Sequence, residues 1–197
     1  MDENRTDLFQ NLKMSARARE YFLRDFASKY AELQAKAESE PLSVLIWGPG
    51  ESGGDLYEKR RSIRALLLEQ GYAAVFSEEV DAELPARPGM SSKIRELLQA
   101  VAADFVVVLQ SSPGSIGEAH DFANVLNGIG SKMLIFVDSR HVLGYSYTGA
   151  LQELATLYKN VETYKYPEDI TECHLSTAVT NRLRVLRWAK WHWGLSK

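Results

Sequence analysis

Five short apolar runs alternate with helix-forming segments between residues 43 and 165, and this alternation limits the possible folds more than any other feature of the sequence. The clearest run, Phe105–Leu109, contains only phenylalanine, valine and leucine, which is typical of a strand buried on both faces of a sheet. The other runs that we predict as strands are Ser43–Trp47, Tyr72–Ser77, Lys132–Val137 and Val161–Lys165. Strands that alternate with helices form a parallel sheet with helices on both faces. The sequence therefore predicts a three-layer α/β fold.

The number of strands also predicts their order in the sheet. Five parallel strands suit the flavodoxin-like order 2-1-3-4-5, in which the first and third strands are neighbours at the topological switch point. The last run, Val161–Lys165, alternates between apolar and polar residues, so we place it at an edge of the sheet. We expect residues 41–170 to form one α/β domain, and sheets of this kind bind ligands, nucleotides among them, at the switch point.

Helical extensions are expected at both ends of this domain. Residues 1–40 contain apolar residues at helical spacing with no proline or glycine between Thr6 and Ala37, and residues 171–197 form a C-terminal helix. The N-terminal extension fits either a helix packed on the flank of the domain or a subunit interface. The C-terminal helix is expected to pack on the domain or on a partner. Assembly through the terminal helices predicts a homo-oligomer.

The two loops richest in glycine follow the two strands that meet at the switch point. Gly48–Gly54 follows the first strand, and Ser111–Gly117 follows the third. Ligands of such sheets bind at the carboxyl ends of the strands beside the switch point. Glycine leaves room for a ligand to approach the backbone, and Arg60 in the next helix would reach a phosphate or be exposed to solvent. The first loop is neither a Walker A loop nor a G-x-G-x-x-G fingerprint.

Carboxylates are predicted at the same edge of the sheet as the two loops. Glu118 is predicted in the first turn of the helix after the second loop, where backbone amides and the helix dipole favour a bound anion. Ser115-x-x-Glu118 is also a capping box, so a structural role for Glu118 stays open. Glu79 and Asp81 leave the second strand at the same edge of the sheet. They fit either an exposed acidic connection or a second carboxylate for glycosidic chemistry.

The bulk properties exclude several classes of function. A net charge of −3 and an isoelectric point near 5.9 provide no general attraction to nucleic acid, which is not expected as a partner. The single cysteine, Cys173, allows no internal disulfide, and no Cys/His spacing matches a metal site, so we expect no metal and a reducing cytoplasm. Neither a secretion signal nor a membrane-spanning run is apparent, so no membrane partner is expected.

Three stretches together resemble a known superfamily. Ile46–Gly50, the strand exit Phe76–Glu79 and the turn and helix of Ser112–Ala123 look like those of the nucleoside 2-deoxyribosyltransferase-like and TIR-like superfamily. The piece Pro113–Glu118 also resembles the phosphate-binding turn of lonely-guy-type nucleotide phosphoribohydrolases. The resemblance implies cleavage of an N-glycosidic bond in a nucleoside, a nucleotide or NAD, with Glu118 at the position of the family's catalytic glutamate. It also implies a possible role as an effector in antiviral defence.

One departure from the family affects the choice between hydrolysis and transfer. The transferases usually carry an acidic residue just before the turn, where this chain has Gln110, so both outcomes stay open. The alternatives to an enzyme are a non-catalytic sensor of a nucleotide-derived ligand and a TIR-like assembly or scaffold module.

These arguments predict the following site. We expect catalytic roles for Glu118, Glu79 and Asp81. The residues expected to bind substrate are Gly48, Pro49, Gly50, Gly53, Tyr57, Ser111, Ser112, Gly114 and Ser115. No cofactor is expected, since NAD or a nucleotide would be the substrate.

Overall fold

The computed structural model of the chain describes residues 14–84, 88–110, 128–142, 144 and 147–194. The chain divides after Glu40 into two compact units. The first unit contains helices α1 (Ala16–Tyr21) and α2 (Ala27–Glu38), which are joined by a π-helical turn at Phe22–Phe26. The side-chain oxygen of Ser15 caps α1 by accepting a hydrogen bond from the amide of Ala18 at 3.3 Å.

The second unit, Pro41–Lys197, contains a five-stranded parallel sheet. Its strands are β1 Ser43–Trp47, β2 Ala73–Phe76, β3 Phe105–Leu109, β4 Met133–Asp138 and β5 Val161–Tyr164. Its helices are α3 Asp55–Glu69, α4 Ser77–Glu83, α5 Ser92–Ala102, α6 Gln152–Tyr158, α7 Glu168–Thr171 and α8 His174–Trp193. The strand order β2-β1-β3-β4-β5 confirms the predicted α/β fold and the position of the last strand at an edge.

Two apolar layers cover the sheet, one on each face. Ile46, Val107 and Phe136 belong to the first layer, together with apolar residues of α3, α7 and α8. Leu45, Val106 and Ile135 belong to the second layer, together with residues of α5 and α6. Strand β3 is buried along its whole length, as expected for a central strand of a parallel sheet. Within the described residues, no helix combines the length and the apolar composition needed to cross a membrane.

The connection after β2 differs from the prediction. The sequence indicated that Glu78, Glu79 and Asp81 lie in an irregular connection, but residues 77–83 form helix α4. The carboxylate of Glu79 accepts a hydrogen bond from the backbone amide of Phe76 at 3.1 Å. Amides at the start of a helix have no acceptor within the helix, and Glu79 supplies one. Glu79 therefore stabilises the start of a helix, while its carboxylate and that of Glu78 stay partly exposed.

At the amino edge of the sheet, Asp104 joins β1, β3 and α8. Its carboxylate accepts hydrogen bonds from the amide of Ser43 at 2.8 Å and the hydroxyl of Ser43 at 2.9 Å, and it forms an ion pair with Lys190 at 3.1 Å. Burial raises the pKa of Asp104, but the hydrogen bonds from Ser43 and Lys190 outweigh burial and hold the pKa below its ordinary value. The ionised carboxylate thus fixes the edge opposite the predicted crevice.

We expect Asp104→Asn to lower the free energy of unfolding by about 1–2 kcal/mol at pH 7, because the amide replaces a charged acceptor of several hydrogen bonds. The folded-state pKa of Asp104 is depressed, so this contribution is fully present above the unfolded pKa of about 4 and is lost as the pH falls through the folded value. Urea unfolding of both proteins over a pH series measures the difference. A difference that stayed constant down to strongly acidic pH would contradict this account.

Candidate functional site

The strands β1 and β3 leave the sheet side by side at its carboxyl edge. Trp47 pairs with Val108 in the parallel register. A Cβ atom placed on Gly48 would lie 3.3 Å from both Cβ and the carbonyl oxygen of Leu109, and 3.2 Å from Cδ of Arg60. Any larger residue at position 48 would have to push these neighbours away. The glycine-rich loop after β1 therefore begins in contact with the end of β3.

The loop itself is compact at its base and open at its tip. The amide of Gly53 donates a hydrogen bond to the carbonyl oxygen of Gly50 at 2.8 Å, and a side chain at Gly53 would collide with the ring of Pro49. Open space surrounds the positions where Gly50 and Gly54 would carry a Cβ atom. Gly54 has φ +56° and directly precedes α3, so this backbone conformation favours glycine. The loop exposes its backbone to any ligand in front of it.

The start of α3 is acidic. Gly54 provides no side-chain cap, and the first turn carries the carboxylates of Asp55 and Glu58. Tyr57 is partly buried in the same turn, with the guanidinium of Arg61 5.9 Å from the centre of its ring. Acidic side chains are stabilised by the helix dipole at this position, and they also repel a second anion. This end of the loop is better suited to hydroxyl groups than to phosphate.

Beneath the loop lies the guanidinium of Arg60, which is 1% exposed. It donates hydrogen bonds to the carbonyl oxygens of Ile46 at 2.7 Å and Pro49 at 3.3 Å, and to both carboxylate oxygens of Glu78 at 2.7 Å each. Its Cζ atom also lies 4.1 Å from the centre of the Phe76 ring. Arg60, which the sequence analysis considered as a phosphate ligand, therefore links the residues at the ends of β1 and β2.

The partner carboxylate Glu78 stays ionised in this arrangement. Burial raises the pKa of Glu78, but the hydrogen bonds from Arg60 and from the backbone amide of Glu78 itself outweigh burial and hold the pKa below its ordinary value. A two-pronged pair between a guanidinium and a carboxylate fixes both side chains in one geometry. The exit of β2 is consequently held next to the glycine-rich loop.

The two carboxylates expected to assist catalysis are both engaged with other side chains. Besides capping α4, Glu79 forms an ion pair with Arg64 at 2.7 Å. Asp81 accepts a hydrogen bond from Gln99 at 2.7 Å and lies 3.5 Å from a guanidinium nitrogen of Arg95. These contacts join α4 to α3 and to α5. Catalytic roles for Glu79 and Asp81 stay predictions.

The exits of β4 and β5 carry a second charged group. The carboxylate of Asp138 is buried and accepts hydrogen bonds from the Arg140 side chain. The bond from Nε of Arg140 to Oδ2 of Asp138 is 2.9 Å long. Burial raises the pKa of Asp138, but the hydrogen bonds from Arg140 outweigh burial, so the pKa lies below its ordinary value. The guanidinium of Arg140 lies 5.2 Å from the centre of the Tyr166 ring, whose hydroxyl is 3.4 Å from Asp55. The exit of β5 therefore reaches the start of α3.

Gln110, the residue that follows β3, is a candidate ligand-binding residue that the sequence analysis did not identify. It is 2% exposed, and both polar atoms of its side-chain amide lack a hydrogen-bond partner among the described residues. Its backbone is fixed, since the amide donates to the carbonyl oxygen of Phe136 at 3.1 Å and the carbonyl oxygen accepts from the hydroxyl of Tyr164 at 2.9 Å. Burying an amide without partners is costly. The side chain is therefore suited to binding a polar group.

The remaining predicted residues lie outside the part of the chain that the structure describes. These residues are Ser111, Ser112, Gly114, Ser115 and Glu118. The structure brings together Gly48, Pro49, Gly50, Gly53 and Tyr57 on one side of the β3 exit. Within the described ranges, no cluster of His, Cys, Asp and Glu side chains has a geometry suited to a metal ion.

We expect Arg60→Leu to lower the free energy of unfolding by about 3 kcal/mol, because it removes the donor to the buried carbonyl of Ile46 and the partly buried carbonyl of Pro49, and the cation that pairs with Glu78. The matched control is Arg61→Leu, since Arg61 lies on the exposed side of the same helix, where it pairs with the exposed Glu58 and lies 5.9 Å from the centre of the Tyr57 ring. This control should lose less than about 1 kcal/mol. Chemical unfolding measures both variants, and equal losses would show that Arg60 is not the structural link described here.

Neither the scan against protein-family models nor the search of curated proteins finds a match for the chain. The function is therefore inferred from the placement of the residues at the carboxyl edge of the sheet.

Proposed function

We propose that this protein cleaves the N-glycosidic bond of a nucleoside, a nucleotide or NAD. The observation that carries the proposal is the contact between Gly48, where β1 ends, and Leu109, where β3 ends. In sheets of this order the crevice between these two exits is the usual ligand site. Glu118 lies eight residues beyond Gln110 along the chain, in the segment that follows this exit.

The proposed chemistry needs one carboxylate beside the ribose C1′ atom. As the bond to the base breaks, positive charge develops on the sugar ring, and a carboxylate stabilises this charge or forms a covalent bond to C1′. We assign this role to Glu118. Ser112, Gly114 and Ser115 would bind phosphate or ribose hydroxyls, and the glycines of residues 48–53 would form the opposite wall. Water or a second base then accepts the sugar.

The charges on the described side of the crevice indicate how the substrate is oriented. Asp55 and Glu58 make the start of α3 acidic, which suits hydrogen bonds from ribose hydroxyls. A phosphate group is better accommodated away from these carboxylates, on the side of residues 111–115. The only cysteine, Cys173, is exposed and has no disulfide partner, which suits a reducing compartment such as the cytoplasm.

A second candidate function is a sensor that binds the same ligand without cleaving it. The observation in its favour is that Glu79 and Asp81 both have arginine partners, so neither is poised to transfer a proton. A glycosidase of this type would depend on Glu118 alone or on another group near it. Chromatography after incubation with NAD and a panel of nucleotides separates the two functions, since a sensor binds without forming a product.

We expect Glu118→Gln to reduce release of the base from the substrate by at least about 100-fold, because the neutral amide cannot stabilise the developing charge. The matched control is Glu153→Gln, which neutralises an exposed carboxylate of α6 outside the proposed site and should leave base release unchanged. Product chromatography gives the activity, and circular dichroism confirms folding. Full activity in Glu118→Gln would remove this residue from the mechanism.

We expect Gln110→Leu to weaken ligand binding about tenfold while leaving the free energy of unfolding unchanged or higher. Leucine has a similar size and removes two buried polar atoms that lack partners among the described residues. Calorimetry with NAD or a nucleotide measures binding, and urea unfolding measures stability. A large loss of stability with unaltered binding would instead assign the amide a purely structural role.

A further inference from the structure

The helix of the N-terminal unit carries a row of aromatic rings. The rings of Phe22 and Phe26 stack with their centres 4.6 Å apart, and those of Phe26 and Tyr30 stack at 6.2 Å. The three residues are spaced four apart, so they form one continuous row on the helix surface. We call this row the aromatic ridge.

The ridge is exposed to an extent that is unusual for aromatic side chains. Phe26 is 52% exposed and Tyr30 is 56% exposed, and the neighbouring Leu23 and Leu33 are each 37% exposed. Large aromatic side chains dominate the energetics of cores and interfaces, where they are normally covered. Contiguous exposed apolar patches on soluble proteins mark sites of interaction. The ridge is therefore a candidate interaction surface.

We infer that the aromatic ridge packs against the same ridge of a second copy of this chain. Side chains spaced four apart form one of the two main ridge directions of a helix, and the commonest class of helix packing inserts such ridges between one another at a crossing angle of about −50°. A two-fold pair satisfies this geometry automatically, since both helices present the same ridge. The partner therefore needs no complementary surface of a different kind.

The charges of the helix favour a second copy over a charged partner. Residues 16–38 contain five basic and four acidic side chains, so the segment is almost neutral. Several of these charges are already paired within the helix, including Lys36 with Glu32 at 2.7 Å and Arg24 with Asp25 at 2.9 Å. Nucleic acids and anionic membranes select strongly basic surfaces. Two almost neutral helices approach each other without net repulsion.

The available area is consistent with a reversible dimer. An aromatic side chain buries roughly 200 Å², so the exposed halves of Phe26 and Tyr30 supply roughly 200 Å² from each copy. The flanking leucines and the polar side chains beside the ridge add to this area. The total stays below the roughly 1,200 Å² of the smallest stable interfaces and falls in the range of weak, transient ones. We therefore expect association that depends on concentration.

The test is the mass of the full chain as a function of concentration. Sedimentation velocity should give a mass that rises from 22.2 kDa towards twice that value with increasing concentration. Phe26→Glu places a charge in the centre of the ridge and should weaken association at least tenfold, and Tyr30→Glu should do the same. Far-UV circular dichroism shows whether each variant keeps its helices.

Two matched variants make the result specific to the ridge. Ser28→Glu adds the same charge to another exposed face of α2 and should leave association unchanged. Val185→Glu changes a residue that is 70% exposed on the apolar groove of α8 lined by Arg184, Trp188 and His192, and it should also leave association unchanged. A monomer at every concentration would overturn the inference. So would dissociation by Val185→Glu with no effect of Phe26→Glu, or binding of the chain to neutral lipid vesicles in place of dimerisation.

Discussion

The carboxyl edge of the sheet depends on the guanidinium of Arg60. This single group binds the carbonyl oxygens of Ile46 and Pro49 and both carboxylate oxygens of Glu78, and it packs on the Phe76 ring. It thereby sets the distance between the exits of β1 and β2 and supports the glycine-rich loop from below. A rigid, planar donor suits this task because its hydrogen bonds have fixed directions. All of these partners are groups of the protein itself, so in the proposed function Arg60 supports the site instead of binding substrate.

Charged side chains are unevenly distributed along this edge of the sheet. Asp55 and Glu58 lie at the start of α3, whereas Arg140 and its partner Asp138 lie at the exit of β4. Gln110 follows β3. This strand lies between β1, which leads to α3, and β4, which ends at Asp138. In the proposed function, Asp55 and Glu58 accept hydrogen bonds from ribose hydroxyls, and the amide of Gln110 binds a polar group of the substrate. This match is the physical support for a nucleoside-type substrate in the proposed function.

The sequence predicted the fold well because the relevant signals are local. The apolar run Phe105–Leu109 and its four counterparts predicted the strands, and the predicted order of the sheet is confirmed. The helix at Ser77–Glu83 was missed because its start depends on a side chain, Glu79, that accepts from a backbone amide and pairs with a distant arginine. The role of Arg60 was missed for a related reason, since its partners lie on β1 and after β2 and no spacing pattern marks them. Gln110 gave one signal that could have been used, a polar residue placed directly after an uninterrupted apolar run.

The central claim is that ligand binds at the carboxyl edge between β1 and β3. Amide hydrogen exchange of the Glu118→Gln variant, with and without saturating NAD or nucleotide, tests this placement most directly because it reports each backbone segment separately. Binding at this site should slow exchange at Gly50–Gly54 and leave exchange at Ser43 and Asp104, on the opposite edge, unchanged. Protection confined to that opposite edge, or no protection at Gly50–Gly54 under saturating ligand, would contradict it.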